Sequence, residues 1–156
     1  MNWLKSICCA ICHSGEQPND ITQIVPTSSK EVDWAYINNL LTTKFPSPTT
    51  HIYLSDNKYY LCSFGDIEKF LAQDNTNKLT YAAEVFDCDD FSYRLMGQLS
   101  YPNWSGIAFG IVWSDTHALN CLISEDGEFF FIEPQTDKLQ KELEPWQGTE
   151  VLLVVM

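Results

Sequence analysis

The sequence has few positive charges. Nine lysines and arginines stand against 21 aspartates and glutamates in 156 residues, which gives a formal net charge of −12. A surface of this sign repels phosphate groups, so we expect no nucleic-acid partner. The same surface is compatible with bound cations.

Long apolar runs are also missing, and no stretch reaches the roughly 20 residues that span a membrane. We therefore expect no membrane partner. The N-terminal run "MNWLKSICCAICHSG" is interrupted by Lys5 and lacks a small-residue cleavage site, so we do not expect a secretory signal. The chain is nevertheless 45% hydrophobic and 13% aromatic, which argues against disorder and predicts one folded domain.

Of the six cysteines, three crowd near the N-terminus, whereas Cys62, Cys88 and Cys121 lie far apart. Cys62 and Cys121 lie in apolar, strand-like runs, where a free cysteine behaves as a small hydrophobic residue. Their setting favours reduced thiols and a cytoplasmic location. The crowded group near the N-terminus is Cys8, Cys9 and Cys12, with His13 beside it. It could supply metal ligands, but no second cluster matches it, so a loose or packed N-terminal segment is favoured over a zinc site.

The pattern of elements predicts an α+β fold with N-terminal helices packed on an antiparallel sheet. We expect an irregular segment over 1–27 and a single domain over 28–156. Predicted helices cover 28–45, where Ser28 and Glu31 have capping-box spacing, then 65–74 and 87–99. Predicted strands are two short ones within 51–64 and four more at 106–113, 117–124, 128–134 and 149–156.

The stretch "EVFDCDDFSYRLM" (84–96) places a cysteine at the start of a predicted helix. Asp87 is a good N-cap, and Asp90 has the spacing to reach back to it. The helix N-terminus stabilises a thiolate at Cys88, whereas Asp87, Asp89 and Asp90 oppose one. An adjacent imidazolium or a bound hard cation would reconcile these two effects.

His117 begins a predicted strand that follows a buried strand, and Glu133 ends the next one. If Glu125-Asp126-Gly127 is a three-residue hairpin loop, Ser124 pairs with Glu128, and His117 and Glu133 become diagonal neighbours on one face. A two-residue loop would shift the register by one and separate them. In the first case Cys88, His117 and Glu133 are candidates for nucleophile, general base and orienting carboxylate.

Each of these residues also has a structural interpretation. Cys88 can be part of an ordinary helix start with N-terminal aspartates. His117 can be a strand-end histidine whose ring is satisfied by the backbone, and Glu133 can be a solvated strand end.

The motifs "FDCDDF", "THALN" and "FIEPQTD", over about residues 80–140, together resemble a papain-like cysteine-protease domain. Such a domain forms the C-terminal part of the fairy-ring mushroom agglutinin, and it has phage and bacterial stand-alone relatives. The resemblance implies a papain-like fold with Cys88 as nucleophile, His117 as base and Glu133 in the orienting position. It also implies calcium dependence. The ligands that it implies or makes plausible are Asp89, Asp90, Asp87, Gln135 and Asp137.

The sequence therefore predicts a papain-like cysteine hydrolase, a peptidase or amidase, with a peptide or protein as its substrate. The alternative is a non-catalytic calcium-binding or protein-interaction domain of a phage or mobile element on the same scaffold. Residues 81–87, "YAAEVFD", contain no glutamine to act as an oxyanion donor, which favours the alternative. A third possibility is a purely structural acidic protein in which Cys88 belongs to the core.

Overall fold

The computed structural model describes residues 25–27 and 29–156. The N-terminal cysteine cluster and most of the predicted irregular segment lie outside these described residues. None of the helices in the described part of the chain is long and apolar enough to cross a lipid bilayer.

Three α-helices and eight strands make up the described fold. The helices are α1 (Trp34–Lys44), α2 (Phe64–Gln73) and α3 (Cys88–Leu99). The strands are β1 (Ser29–Asp33), β2 (His51–Tyr53), β3 (Lys58–Cys62), β4 (Phe109–Ser114), β5 (Ala118–Ile123), β6 (Phe129–Glu133), β7 (Lys138–Gln140) and β8 (Val151–Val155). Two short 3-10 turns, Thr76–Lys78 and Pro145–Gln147, complete the list of elements.

The main sheet has six strands in the order β2-β8-β4-β5-β6-β7, and β1 and β3 form a separate antiparallel pair. The α+β prediction is confirmed. The sheet is not wholly antiparallel, however, because β2 runs parallel to β8. The two short strands predicted within 51–64 exist, but they join different sheets and do not form a hairpin.

The first helix begins later than the sequence predicted. Asp33 caps it, and the Asp33 carboxylate accepts a hydrogen bond of 2.9 Å from the Tyr36 N–H. The predicted capping residue Ser28 lies outside the described residues. The preceding residues pair with β3 instead of continuing the helix, and Glu31 forms an ion pair with Lys58. Cross-strand pairing therefore overrides the local capping pattern.

The main sheet is covered on both faces. On one face, Leu119, Cys121 and Ile123 of β5 form a buried cluster with Ile37 and Leu41 of α1. On the other face, a second cluster joins the sheet to α2 and α3. Its buried members include Ile67, Phe70, Leu95, Leu99, Phe109, Leu122 and Ile132. The alternation along β5 assigns odd-numbered positions to the α1 face and even-numbered positions to the α3 face.

The turn between β5 and β6 is the three-residue loop that brings His117 and Glu133 together. The Ser124 N–H donates to the Glu128 carbonyl at 2.9 Å, and Asn120 pairs with Ile132 in the ladder. Gly127 has φ of +75°, as this loop requires. The register predicted from "EDG" is confirmed.

Candidate functional site

Asp87 and Asp90 organise the start of α3. The Asp87 N–H donates to the Asp90 carboxylate at 3.1 Å, and the two residues form the predicted capping box. Cys88 is half-buried at the first helical position. Its sulfur and one oxygen each of Asp87 and Asp89 all lie within 4.8 Å of one another, which makes these three residues a potential cation site.

The two aspartates that flank Cys88 interact directly. Their side-chain hydrogen bond raises the pKa of Asp89, with desolvation as a smaller cause, and it lowers the pKa of Asp87. Asp89 therefore holds a proton more readily than an ordinary carboxyl group, while Asp87 stays ionised.

His117 and Glu133 form a buried pair. His117 Nε2 lies 2.8 Å from Glu133 Oε2, and their side chains are 8% and 3% exposed. Glu133 also accepts hydrogen bonds from Gln147 Nε2 at 2.9 Å and from the Gln135 N–H at 3.3 Å. The carboxylate has three donors around it, so its burial is compensated.

Trp146 covers the His117 ring. The two ring centroids are 4.9 Å apart, and the indole Nε1 donates to Glu144 at 2.7 Å. The segment that carries Trp146 passes close to Ser114, and Gly148 makes this possible because it has φ of +109° and no side chain. A Cβ there would lie 2.5 Å from Ser114 Oγ. Trp146 is itself 56% exposed and forms part of the molecular surface.

The position of Cys88 relative to this pair stays a prediction. His117 and Glu133 continue the odd-numbered rows of β5 and β6, on the α1 face. The helix that begins at Cys88 packs on the other face, where Asn120 of β5 donates to the Ser92 carbonyl at 3.0 Å. Among the described residues, no hydrogen bond connects the Cys88 sulfur with His117.

Asp137, one of the predicted calcium ligands, lies in a cluster of oxygen-bearing side chains that the sequence did not reveal. Asn77 Nδ2 donates to Asp137 Oδ2 at 2.5 Å, and Asp74 is close enough to raise the pKa of Asp137. Four side-chain oxygens in this region are buried without a hydrogen-bond partner. They are Asp74 Oδ1, Thr76 Oγ1, Asn77 Oδ1 and Asp137 Oδ1.

Desolvation, followed by repulsion from Asp74, raises the pKa of Asp137 to about 6, and Lys78 opposes this shift. Asp74 and Thr76 are 1% and 0% exposed. The 3-10 turn that carries Thr76 and Asn77 packs against α3. The sequence predicts no helix or strand between the helices at 65–74 and 87–99. The density of oxygen side chains in "DNTN" (74–77) was the only local indication of this cluster.

Comparison with known proteins reveals relatives only at the level of the fold. No protein-family model and no curated protein sequence matches the chain significantly. A solved structure described as a PSL1a–E64 complex matches with a TM-score of 0.68 and 18% identity, over 81% of this chain and 51% of the other. PSL1a is the Polyporus squamosus lectin. A second structure is that lectin bound to the human-type influenza-binding epitope Neu5Acα2-6Galβ1-4GlcNAc, with a TM-score of 0.65, 18% identity and coverage of 81% and 49%.

These findings correct the identification made from the sequence. The solved structures that share the fold are described as a lectin, so the assignment to a cysteine-protease family and the prediction of a peptidase or amidase acting on peptides are wrong. The physical reason is that the three motifs specify a scaffold, and a scaffold does not determine chemistry. The register of the hairpin loop placed His117 beside Glu133 correctly, and the catalytic role assigned to Cys88 rested on the family resemblance. The chain spans about half the length of the lectin structures that it matches.

Proposed function

We propose that this chain is a non-catalytic binding domain that holds a calcium ion and recognises carbohydrate. Its α+β scaffold would have the papain-like arrangement of a cysteine-bearing helix packed on a sheet that carries the histidine. The single observation that carries the calcium part is the group of four buried oxygens without hydrogen-bond partners at Asp74, Thr76, Asn77 and Asp137. A buried oxygen without a partner costs free energy unless something compensates it.

The chemistry of this group fits calcium. All four atoms are hard oxygen donors, two of them from carboxylates, and calcium takes six to eight oxygens from carboxylates, amides, carbonyls and water. Nitrogen and sulfur ligands, which zinc prefers, are absent from the four. A bound calcium ion would neutralise the repulsion between Asp74 and Asp137. It would thereby fasten the 3-10 turn of residues 76–78 to the turn between β6 and β7.

The calcium ligands predicted beside Cys88 stay a prediction. Asp87 and Asp89 present oxygens close together, which suits a cation. Asp90 uses one carboxylate oxygen to accept from the Asp87 N–H. The Gln135 N–H donates to Glu133, and within the described part of the chain the Gln135 side chain makes no hydrogen bond to the Asp137 cluster. We therefore assign the calcium to Asp74, Thr76, Asn77 and Asp137, and experiment can separate this site from Asp89.

Carbohydrate is the ligand class that the comparisons favour. One of the structures that shares this fold is a lectin with a bound sialylated trisaccharide. This chain presents large aromatic rings at its surface, and two of them, Trp146 and Tyr93, are 56% and 52% exposed. Tyr93 is held against Trp113 at 5.8 Å, and Trp146 is held against His117. Rings that are fixed and exposed can stack on the apolar face of a sugar.

Calorimetric titration of the chelator-treated protein with calcium tests the proposal. We expect saturable binding by the wild type. Asp137→Asn and Asp74→Asn each remove a carboxylate ligand and should weaken binding by at least about tenfold, because charge-assisted contacts are worth about 1.5–3 kcal/mol. The matched control is Asp126→Asn, which makes the same chemical change at an exposed turn residue and should bind as the wild type does.

A separate variant, Asp89→Asn, distinguishes the two possible locations. If calcium lies at Asp74 and Asp137, this variant retains wild-type affinity. Loss of binding in Asp89→Asn with retention in Asp137→Asn would move the ion to the start of α3. No binding by the wild type would refute the calcium part of the proposal.

A further inference from the structure

We propose that the cavity beside Trp146 is a subsite for one neutral sugar ring, which enters against the indole and is hydrogen-bonded by Gln140. The inference rests on the proposed carbohydrate-binding function and adds the place and the charge of the ligand. The cavity measures about 250 Å³, and the residues that line it include Glu133, Lys138, Gln140, Glu144, Trp146 and Gln147.

Trp146 provides a fixed aromatic wall. The indole packs against the His117 ring, and its Nε1 is held by Glu144 at 2.7 Å. More than half of the Trp146 surface is nevertheless exposed. A large side chain that is fixed in place and left open to solvent pays little conformational entropy when a ligand covers it. The indole is thus suited to stack on the C–H face of a pyranose.

The amide groups of the cavity are arranged so that one acceptor is free. Gln147 is fully buried, and it donates to Glu133 at 2.9 Å and accepts from the Glu144 N–H at 2.9 Å. Gln140 donates its Nε2 to Gln147, while its own Oε1 is buried without a partner. A hydroxyl group of a sugar can donate to this oxygen and remove the cost of leaving it unpaired.

The size of the cavity limits the ligand to a small one. Sites for drug-sized molecules measure about 300–1,000 Å³, and this cavity lies below that range. A single ring with its hydroxyl groups is therefore the appropriate occupant, and further sugars of a chain would extend into solvent past the exposed edge of Trp146.

The charge around the cavity selects against acidic sugars. Lys138 is paired with Glu144, and that ion pair together with the Trp146 hydrogen bond lowers the pKa of Glu144, which stays ionised. Glu133 adds a second carboxylate, and the whole chain carries a net charge of −12. A carboxylate such as that of a sialic acid would meet like charge without a free cation beside it, so the ligand is a neutral ring.

The test follows the tryptophan indole N–H resonances of ¹⁵N-labelled protein by NMR. The calcium-loaded protein is titrated separately with D-galactose, D-glucose, N-acetyl-D-glucosamine and N-acetylneuraminic acid. We expect at least one neutral sugar to shift the Trp146 indole resonance in a saturable manner, and N-acetylneuraminic acid to leave it in place.

Variants then locate the effect. Trp146→Ala should weaken binding of the responding sugar by at least about tenfold, as for a central aromatic contact. Gln140→Met keeps the length of the side chain but removes the amide, and it should weaken binding by roughly three- to tenfold. Trp34→Ala is the matched control, because Trp34 is an exposed tryptophan at the start of α1 and should not alter binding. The dispersion of each variant's spectrum establishes that it is folded.

The outcomes separate this inference from the proposed function. Shifts by a sugar that spare Trp146, or that survive in both site variants, would overturn the subsite while carbohydrate binding stands. Preferential binding of N-acetylneuraminic acid at Trp146 would overturn the inference of a neutral ligand. No response to any sugar would overturn both the subsite and the carbohydrate proposal, and it would leave the calcium proposal to its own titration.

Discussion

The raised pKa of Asp137 makes the stability of the calcium-free protein depend on pH. Its pKa is raised to about 6 by burial and by Asp74, whereas an unfolded aspartate titrates near 3.9. The folded protein therefore binds more protons than the unfolded chain between about pH 4 and pH 6. In calcium-free solution the free energy of unfolding contributed by this group falls as pH rises through that window and is constant above it.

The first prediction concerns this pH dependence. The free energy of unfolding of Asp137→Asn minus that of the wild type should increase from pH 4 to pH 6 in a chelator-containing buffer, because asparagine carries no charge to repel Asp74. Urea denaturation of both proteins at a series of pH values measures this difference in the free energy of unfolding. The contributions of the other carboxyl groups are the same in both proteins and are removed by the subtraction. A difference that is independent of pH would show that Asp137 titrates as an ordinary aspartate.

Asn120 is a second residue whose role can be measured. It is fully buried in β5, and its Nδ2 donates to the Ser92 carbonyl at 3.0 Å and to the Gly110 carbonyl at 3.1 Å. These bonds join α3 to the sheet. We expect Asn120→Ala to lower the free energy of unfolding by about 2–4 kcal/mol, since it removes two buried hydrogen bonds and leaves a cavity between α3 and the sheet.

Urea denaturation of Asn120→Ala is compared with that of Asn39→Ala, which makes the same change at an exposed position of α1. The control should change the free energy of unfolding by no more than about 0.5 kcal/mol. Equal effects of the two substitutions would contradict the role assigned to Asn120.

At the scale of elements, the hairpin between β5 and β6 decides whether His117 meets Glu133. Gly127 adopts a positive φ, and a Cβ there would lie 2.6 Å from the Tyr36 hydroxyl oxygen. We expect Gly127→Ala to lower the free energy of unfolding by about 1–2 kcal/mol or more, because the left-handed conformation costs this much for other residues. Adding Tyr36→Phe to Gly127→Ala removes the hydroxyl that the new Cβ would meet. The double variant should therefore regain only the part of the lost free energy of unfolding that is due to this steric contact.

The control for this substitution is Gly97→Ala in α3, where nothing lies within 4 Å of the added Cβ. Alanine is favoured over glycine in a helix by about 1 kcal/mol, so this variant should be at least as stable as the wild type. Thermal or urea unfolding of both variants makes the comparison. A neutral Gly127→Ala would show that the loop does not fix the register.

The elements also show what a sequence can and cannot reveal. The three-residue loop, the capped start of α3 and the buried strands β4 to β6 were predictable, because each depends on local turn chemistry or on a continuous apolar run. β1 was predicted as helix, since its letters "SKEVD" have no strand periodicity and only pairing with β3 makes them a strand. β7 is a three-residue edge strand with no local pattern.

The candidate site residues also differ in how far the sequence could predict their neighbours. His117 and Glu133 could be paired from the register of one hairpin. Asp137 was proposed as a ligand, but its partners Asp74 and Asn77 lie about 60 residues earlier in the chain. Only tertiary packing brings these oxygens together, so no spacing rule could have revealed them. The catalytic role was inferred from sequence motifs, and the solved structures that share this fold are described as a lectin.

At the scale of the whole molecule, we propose that a calcium ion completes the scaffold. With calcium at about 100 times its dissociation constant, binding to the folded state alone adds about 2.7 kcal/mol to the free energy of unfolding. For a chain of this length that amounts to a rise in Tm of roughly 5–10 °C.

The most direct test of the calcium site is the Tm of the wild type and of Asp137→Asn, each measured with excess chelator and with excess calcium. We expect calcium to raise the Tm of the wild type by several degrees. In chelator the variant should be as stable as the calcium-free wild type or more so, and calcium should not change its Tm. An unchanged wild-type Tm, or an equal rise in both proteins, would contradict the assignment of calcium to the Asp74–Asp137 cluster.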